Sequence, residues 1–286
     1  MVGSIKMYNN IIRIFPRKTK ATPDDENVRI GFVKPTVLDE AKEVHISTAF
    51  TWDIPTAEKI AELWRHVAPV KIGGPAYNNP GGEFVPGMYL KKGYIITSRG
   101  CPNRCWFCAV PKREGFKLRE LPIKEGYILT DDNLLACSPG HIDAVFDMLA
   151  RQKERPQFTG GLEARLLTPT YAKKLYDLRP KSIYFAYDTP DDFEPLVQAG
   201  KYLLDAGFKK SSHILRAYVL IGYRGDTFDK AIARLTATYD EGFFPMAMLY
   251  RDQKGEVSKD WKRLQREWAN PIITAVKCKE LDNRFL

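Results

Sequence analysis

A chain of 286 residues that is 44% hydrophobic and 28% charged can build a substantial core, which excludes a disordered tail and a membrane-embedded protein. No uncharged apolar run approaches the roughly 18 residues of a membrane span, and residues 1–20 mix Lys and Arg with short apolar pairs where a secretory leader has a continuous apolar core. A cytoplasmic location is expected, and the net charge of +9 favours anionic partners without naming them.

In chain order, residues 27–33 and 44–47 are β-branched and predict strands. Residues 55–66 have helical spacing through Ile60, Leu63 and Trp64, and residues 70–72 predict a further short strand ended by Gly73, Gly74 and Pro75. The Tyr-Asn-Asn-Pro-Gly-Gly run at 77–82 has the composition of a linker, placing a boundary near residues 76–90. From residue 93 a rhythm sets in, with strand-like runs at 94–97, 127–130, 157–161, 182–187, 215–221 and 244–250. Helical segments separate most of them, at 138–153, 168–178, 191–206 and 229–241, and another follows at 258–268. Ser138-Pro139 and Thr168-Pro169 are helix starts, and Gly207 and Gly242 are plausible stops. Strands alternating with helices about 30 residues apart imply parallel βαβ units. Joined right-handed, six of them would curl into a partial (β/α)6 barrel, with an open doubly wound sheet as the competing α/β architecture.

Three of the five cysteines, Cys101, Cys105 and Cys108, stand in the run Cys-Pro-Asn-Arg-Cys-Trp-Phe-Cys directly after the first of these strands. An odd cysteine count with three packed into eight positions is a poor disulfide framework and points to a reducing compartment and a metal site. Thiolates are the usual ligands of cluster iron. Three local ones leave a fourth iron open, and an open metal position is where a small molecule can be activated. A structural zinc site would want a fourth ligand at a suitable spacing; Cys137 is unpaired and followed by His141. Cys137 and Cys278 read as ordinary buried thiols, with a late hydrogen-atom donor as the sharper alternative.

The Cys-x3-Cys-x2-Cys loop, with Phe107 before the last cysteine, resembles the signature of the radical S-adenosylmethionine (SAM) superfamily. The resemblance implies that Cys101, Cys105 and Cys108 ligate a [4Fe–4S] cluster whose open iron chelates SAM, and that one electron cleaves SAM to methionine and a 5′-deoxyadenosyl radical. The similarity extends over about residues 70–250. Asp131-Asp132-Asn133 follows the second strand, where the superfamily places a motif for the SAM amino group; its form here resembles that of the branch carrying a cobalamin-binding domain. Glu163-Ala164-Arg165 ends the third strand, and Arg165 matches an arginine that this branch places near the SAM carboxylate. Tyr187-Asp188 ends the fourth, where relatives carry Glu-Ser near the ribose, so Asp188 departs from the pattern. The 221–227 run, with Gly222 and Gly225, looks like the adenine-side glycine motif, and Tyr250-Arg251-Asp252 closes the last strand, where Tyr250 or Arg251 is expected to face substrate.

These positions also make sense without the family, since all lie at the carboxyl ends of predicted strands, the rim where parallel α/β proteins build active sites. Each has a plainer reading: Asp131 and Asp132 as a turn cap, Arg165 as an ion-pair member, and the two glycines as turn residues.

Residues 44–75 look like the later part of a cobalamin-binding domain, but Asp-x-His-x-x-Gly, which supplies cobalt's lower ligand in many such domains, is absent. His45 is therefore expected to be a partly buried strand histidine, and the segment a remnant without cobalamin. The stretch from Lys91 to Arg119 holds eight basic residues against Glu114 alone. Besides a solvated face, it could favour thiolate over thiol, dock an acidic one-electron donor of the flavodoxin or ferredoxin type, or draw in a phosphorylated or nucleic-acid substrate. Trp261 and Trp268 are expected to be packing anchors. The expected organisation is an αβ segment over 1–85, a barrel over 86–255 and a helical tail over 256–286. The expected activity is radical SAM chemistry on an unknown substrate. A cobalamin-dependent radical methylase and a metal-stabilised nucleic-acid-binding protein are the rivals.

Overall fold

A computed structural model describes residues 10–252 and 254–283, which divide into two units. The first takes the described residues up to Ile95, the segment Gly100–Lys117, and residues 254–255. Its sheet contains β1 (Ile11–Phe15), β2 (Val28–Ile30), β3 (Glu43–Ser47) and β4 (Val70–Gly73), all parallel, in the order β2-β1-β3-β4. Period-two alternation sorts these strands: Ile12, Ile14, Val44 and Ile46 form an apolar cluster with Ala57, Ile60, Ala61 and Trp64 of α1 (Ile54–Trp64). Trp64 is fully buried and donates its indole N–H to Val33 O at 2.8 Å.

The central strand β1 was not among the expected elements. Arg13 interrupts its apolar run. The guanidinium is nevertheless buried, paired with Asp25 and donating to Gly87 O and Met88 O at 2.8 and 2.9 Å. A buried charge is tolerated when it is paired and hydrogen-bonded.

The second unit holds residues 96–99, 118–252 and 256–283. Its short strands β6 (Ser98–Arg99) and β7 (Arg119–Glu120) pair antiparallel. β5 (Tyr94–Ile95) ends the first unit's opening segment, and the second unit's larger sheet adds β8 (Ile128–Leu129), β9 (Gln157–Phe158), β10 (Ser182–Tyr187), β11 (Leu215–Ile221) and β12 (Phe244–Leu249) in the order β12-β11-β10-β9-β8. The pairings from β8 through β12 are all parallel. The order runs without the reversal that defines a doubly wound sheet, so the chain is an α/β protein with sequentially ordered parallel strands.

The helices α3 (Pro139–Ala150), α4 (Pro169–Asp177), α5 (Phe193–Asp205) and α6 (Phe228–Asp240) connect these strands. Ser138, Thr168 and Thr227 cap α3, α4 and α6 through their hydroxyls, satisfying N–H groups that a helix start leaves unpaired. Val219 and Ile221 of β11 and Ala247 and Leu249 of β12 pack with Ala231 and Leu235 of α6. The tail helices α7 (Lys259–Ala269) and α8 (Pro271–Asp282) join that same core through Leu264, Trp268, Cys278 and Leu281. Trp268 is thus a packing anchor, and Trp261 stacks on Phe228 at 4.4 Å between ring centroids.

Candidate active site

The cysteine loop belongs to the first unit. Residues 100–108 have no helix or strand, and the short helix α2 (Val110–Glu114) follows. Gly100, at φ 86°, makes the backbone turn into the loop that a side-chain-bearing residue would resist. Cys108 N donates to Cys105 O at 3.1 Å, and Val110 N approaches Cys108 Sγ at 3.4 Å. Phe107 packs edge-on to the exposed Trp106 ring, 5.4 Å between centroids, and Arg104 lies over Phe116 at 4.8 Å. Cys101, Cys105 and Cys108 are half-buried and none is in a disulfide. This donor chemistry, three thiols on one irregular loop, suits a thiolate-ligated cluster. Among the described residues, however, no three Cys, His, Asp or Glu side chains are gathered as a group that could hold a metal ion. The donor set fits the cofactor, whereas the side-chain positions are not those of an assembled ligand set.

The strand-end residues all belong to the second unit. Asp131, just past β8, is buried, and its carboxylate accepts from Thr97 N at 2.7 Å, Thr97 Oγ1 at 2.5 Å and Ser98 Oγ at 2.7 Å. These bonds fasten Thr97 and Ser98, the stretch that leads into the cysteine loop. Burial pushes its carboxyl upward against the pull of those donors. Gly160 is required beside it, because a Cβ there would collide with the Asp131 backbone.

Asn133, also buried, donates from Nδ2 to Glu163 Oε2 at 3.3 Å. Arg165 Nε lies 3.8 Å from Glu163 Oε1, and its Nη2 reaches Asp191 O at 2.5 Å and Asp192 Oδ1 at 3.3 Å. The plainer expectation for Arg165, an ion-pair member, describes what it does. Asp192, not among the expected site residues, is the hub: its Oδ2 accepts from Asp188 N at 3.1 Å, Thr189 N at 2.8 Å and Thr189 Oγ1 at 3.0 Å. The Thr-Pro-Asp-Asp run at 189–192 was its sequence signal, a capping box. Asn133, Glu163, Arg165, Asp192 and Asp188 thus form one polar chain across the ends of β8, β9 and β10. Burial, then the neighbouring Asp192, raises the Asp188 carboxyl to about 7.

At the end of β11, Gly222 has φ 72°, and a Cβ there would lie 2.5 Å from Leu249 Cδ1 and 3.2 Å from Trp261 Cδ2. Its N–H donates to Asp226 Oδ2 at 2.8 Å, which also accepts from Arg234 Nη2 at 2.7 Å. Gly225, at φ 84°, faces open space. Tyr250 N bonds Ile221 O at 2.9 Å, fixing the phenol's attachment point at the end of β12.

Other residues singled out in the sequence lie outside this rim. His45 is a buried strand histidine with both ring nitrogens hydrogen-bonded, to Glu43 and Tyr89. Burial pushes the Cys137 thiol up to about 11 and the Cys278 thiol up to about 12, the condition of inert core cysteines. No described helix is long and apolar enough to cross a membrane. Neither the known family models nor the curated proteins include a match to this chain.

Proposed function

We propose that this chain is a radical SAM enzyme, with its second unit as a partial (β/α)6 barrel. The observation that carries the reading is the Cys-x3-Cys-x2-Cys loop: three thiols on irregular backbone, none in a disulfide. Cys101, Cys105 and Cys108 would hold a [4Fe–4S] cluster, and Phe107 and the strand-end residues would bind SAM. When bound, the cluster would supply the electron that cleaves SAM to methionine and a 5′-deoxyadenosyl radical, which takes hydrogen from the substrate.

The chain's own residues contribute orientation and charge. Asp131 holds Thr97 and Ser98, so the start of the cysteine loop leaves from a fixed point. The Asn133–Glu163–Arg165–Asp192 chain keeps the rim of β8 to β10 in one arrangement. With its carboxyl raised to about 7, Asp188 can give or take a proton near neutral pH. The basic stretch around the loop would offset an anionic cluster and suits an acidic electron donor or an anionic substrate, in a cytoplasmic, reducing setting.

The test compares wild type with Cys105→Ala after anaerobic loading with iron and sulfide. The proposal expects cluster iron and 5′-deoxyadenosine formation to be lost together. A variant that still makes 5′-deoxyadenosine overturns it.

A further inference from the structure

The first unit's sheet presents a second face, unlike the apolar one against α1. Arg13, Glu43, His45 and Lys71 share it, with Arg13 opposite His45 in the β1–β3 register and His45 opposite Lys71 in the β3–β4 register. The His45 ring joins two partners. Its Nε2 lies 2.7 Å from Glu43 Oε2, and its Nδ1 lies 2.7 Å from the Tyr89 hydroxyl. Glu43 is held in turn by Lys71 Nζ, 2.8 Å from each carboxylate oxygen. Lys71 and His45 keep the Glu43 carboxyl below its ordinary range, so it is ionised at neutral pH. An ionised acceptor at Nε2 fixes the proton on that nitrogen, which leaves the Nδ1 lone pair to receive the phenol's hydrogen.

Tyr89 is the outward end of this chain, 43% exposed. Its segment does not depend on the phenol for attachment. Arg13 holds Gly87 O and Met88 O, Lys91 N donates to Ala21 O at 2.8 Å, and Lys91 pairs with Asp24. An accessible hydroxyl, a buried base bonded to it and a carboxylate orienting that base make up the arrangement of an activated nucleophile.

We propose that Tyr89 is a nucleophile for acyl transfer, with His45 as its general base and Glu43 as the residue that positions the imidazole. The phenol oxygen attacks the acyl carbon of an activated donor while its proton passes to His45 Nδ1. The acyl–oxygen bond forms, the bond to the leaving group breaks with its electron pair, and the leaving group then takes the proton from His45. Desolvation raises the phenol above its ordinary value, so the hydroxyl is protonated at rest and depends on His45 for reaction. The inference uses nothing of the cysteine loop and stands apart from the radical SAM reading.

The test treats the full chain with N-acetylimidazole, an acyl donor whose leaving group is imidazole, and follows O-acetylation of each tyrosine by peptide mass spectrometry. Tyr176, 40% exposed, is the comparator of matched accessibility. General-base assistance predicts acetylation of Tyr89 roughly tenfold or more faster than of Tyr176. His45→Gln is expected to reduce Tyr89 to the rate of Tyr176, and Glu43→Gln to bring it part of the way. Equal rates at Tyr89 and Tyr176 in the wild-type chain overturn the proposal whether or not the variants fold. A folded His45→Gln protein with an unchanged Tyr89 rate does the same.

Discussion

Replacing Asp188 by asparagine removes one titration from the fold while keeping the shape of the side chain. The wild-type carboxyl rises from an ordinary 3.8 to about 7 on folding, because burial and then Asp192 disfavour its ionised form, against weaker pulls from a hydrogen bond with the Leu220 backbone and from Arg234. A carboxyl raised in this way costs nothing below the unfolded value, where both states are protonated. As pH climbs from about 4 to about 7 the unfolded chain ionises first, so wild-type stability falls across that window, and above it the loss is complete. At about 1.4 kcal/mol per pH unit the full rise corresponds to about 4 kcal/mol, and the side chain's partial exposure brings the expectation to roughly 2–4 kcal/mol. Asp188→Asn carries no charge in either state and escapes this loss. Thermal melts of both proteins from pH 4 to pH 8 should show the variant near wild type at pH 4 and more stable at pH 8, by roughly 4 °C or more. A difference that does not change with pH, or that grows as pH falls, refutes the assigned cause.

Other expectations follow from packing and charge. Gly222→Ala must accommodate a Cβ 2.5 Å from Leu249 Cδ1 at a positive φ, and should lose about 2–4 kcal/mol in chemical denaturation. Gly225→Ala, at a similar φ but in open space, should lose only about 1 kcal/mol, so equal losses would contradict the packing argument. Arg234→Met leaves the fully buried Asp226 carboxylate without its charge partner and should cost about 3–5 kcal/mol; a loss under 1 kcal/mol would show that the pair is dispensable. Asp131→Ala removes the acceptor of three hydrogen bonds and should speed amide exchange at Thr97; an unchanged rate there would contradict the fastening role.

Much of the second unit was legible because its strands and helices obey local rules. The runs at 182–187 and 215–221 are apolar or β-branched over the lengths they adopt, and Ser-Pro and Thr-Pro start α3 and α4 as expected. β1 was not legible, because Arg13 is excused by partners distant in sequence, Asp25 and the carbonyls of Gly87 and Met88. The same limit applies to Asp131. Its residue type and its place after a strand were readable, but its engagement with Thr97 and Ser98 depends on a contact across more than thirty residues. Asp192 was missed because its capping box explains it locally, which hid its second task of tying Arg165 to the end of β10. The His45–Tyr89 bond links positions 44 residues apart, and nothing local announces it.

The measurement that bears most directly on the central claim is the EPR spectrum of the anaerobically reconstituted, dithionite-reduced protein with and without SAM. The account predicts a [4Fe–4S]⁺ signal that changes when SAM is added, as it must if three cysteines leave one iron open to it. A protein that takes up no iron, or a cluster whose signal is indifferent to SAM, contradicts it.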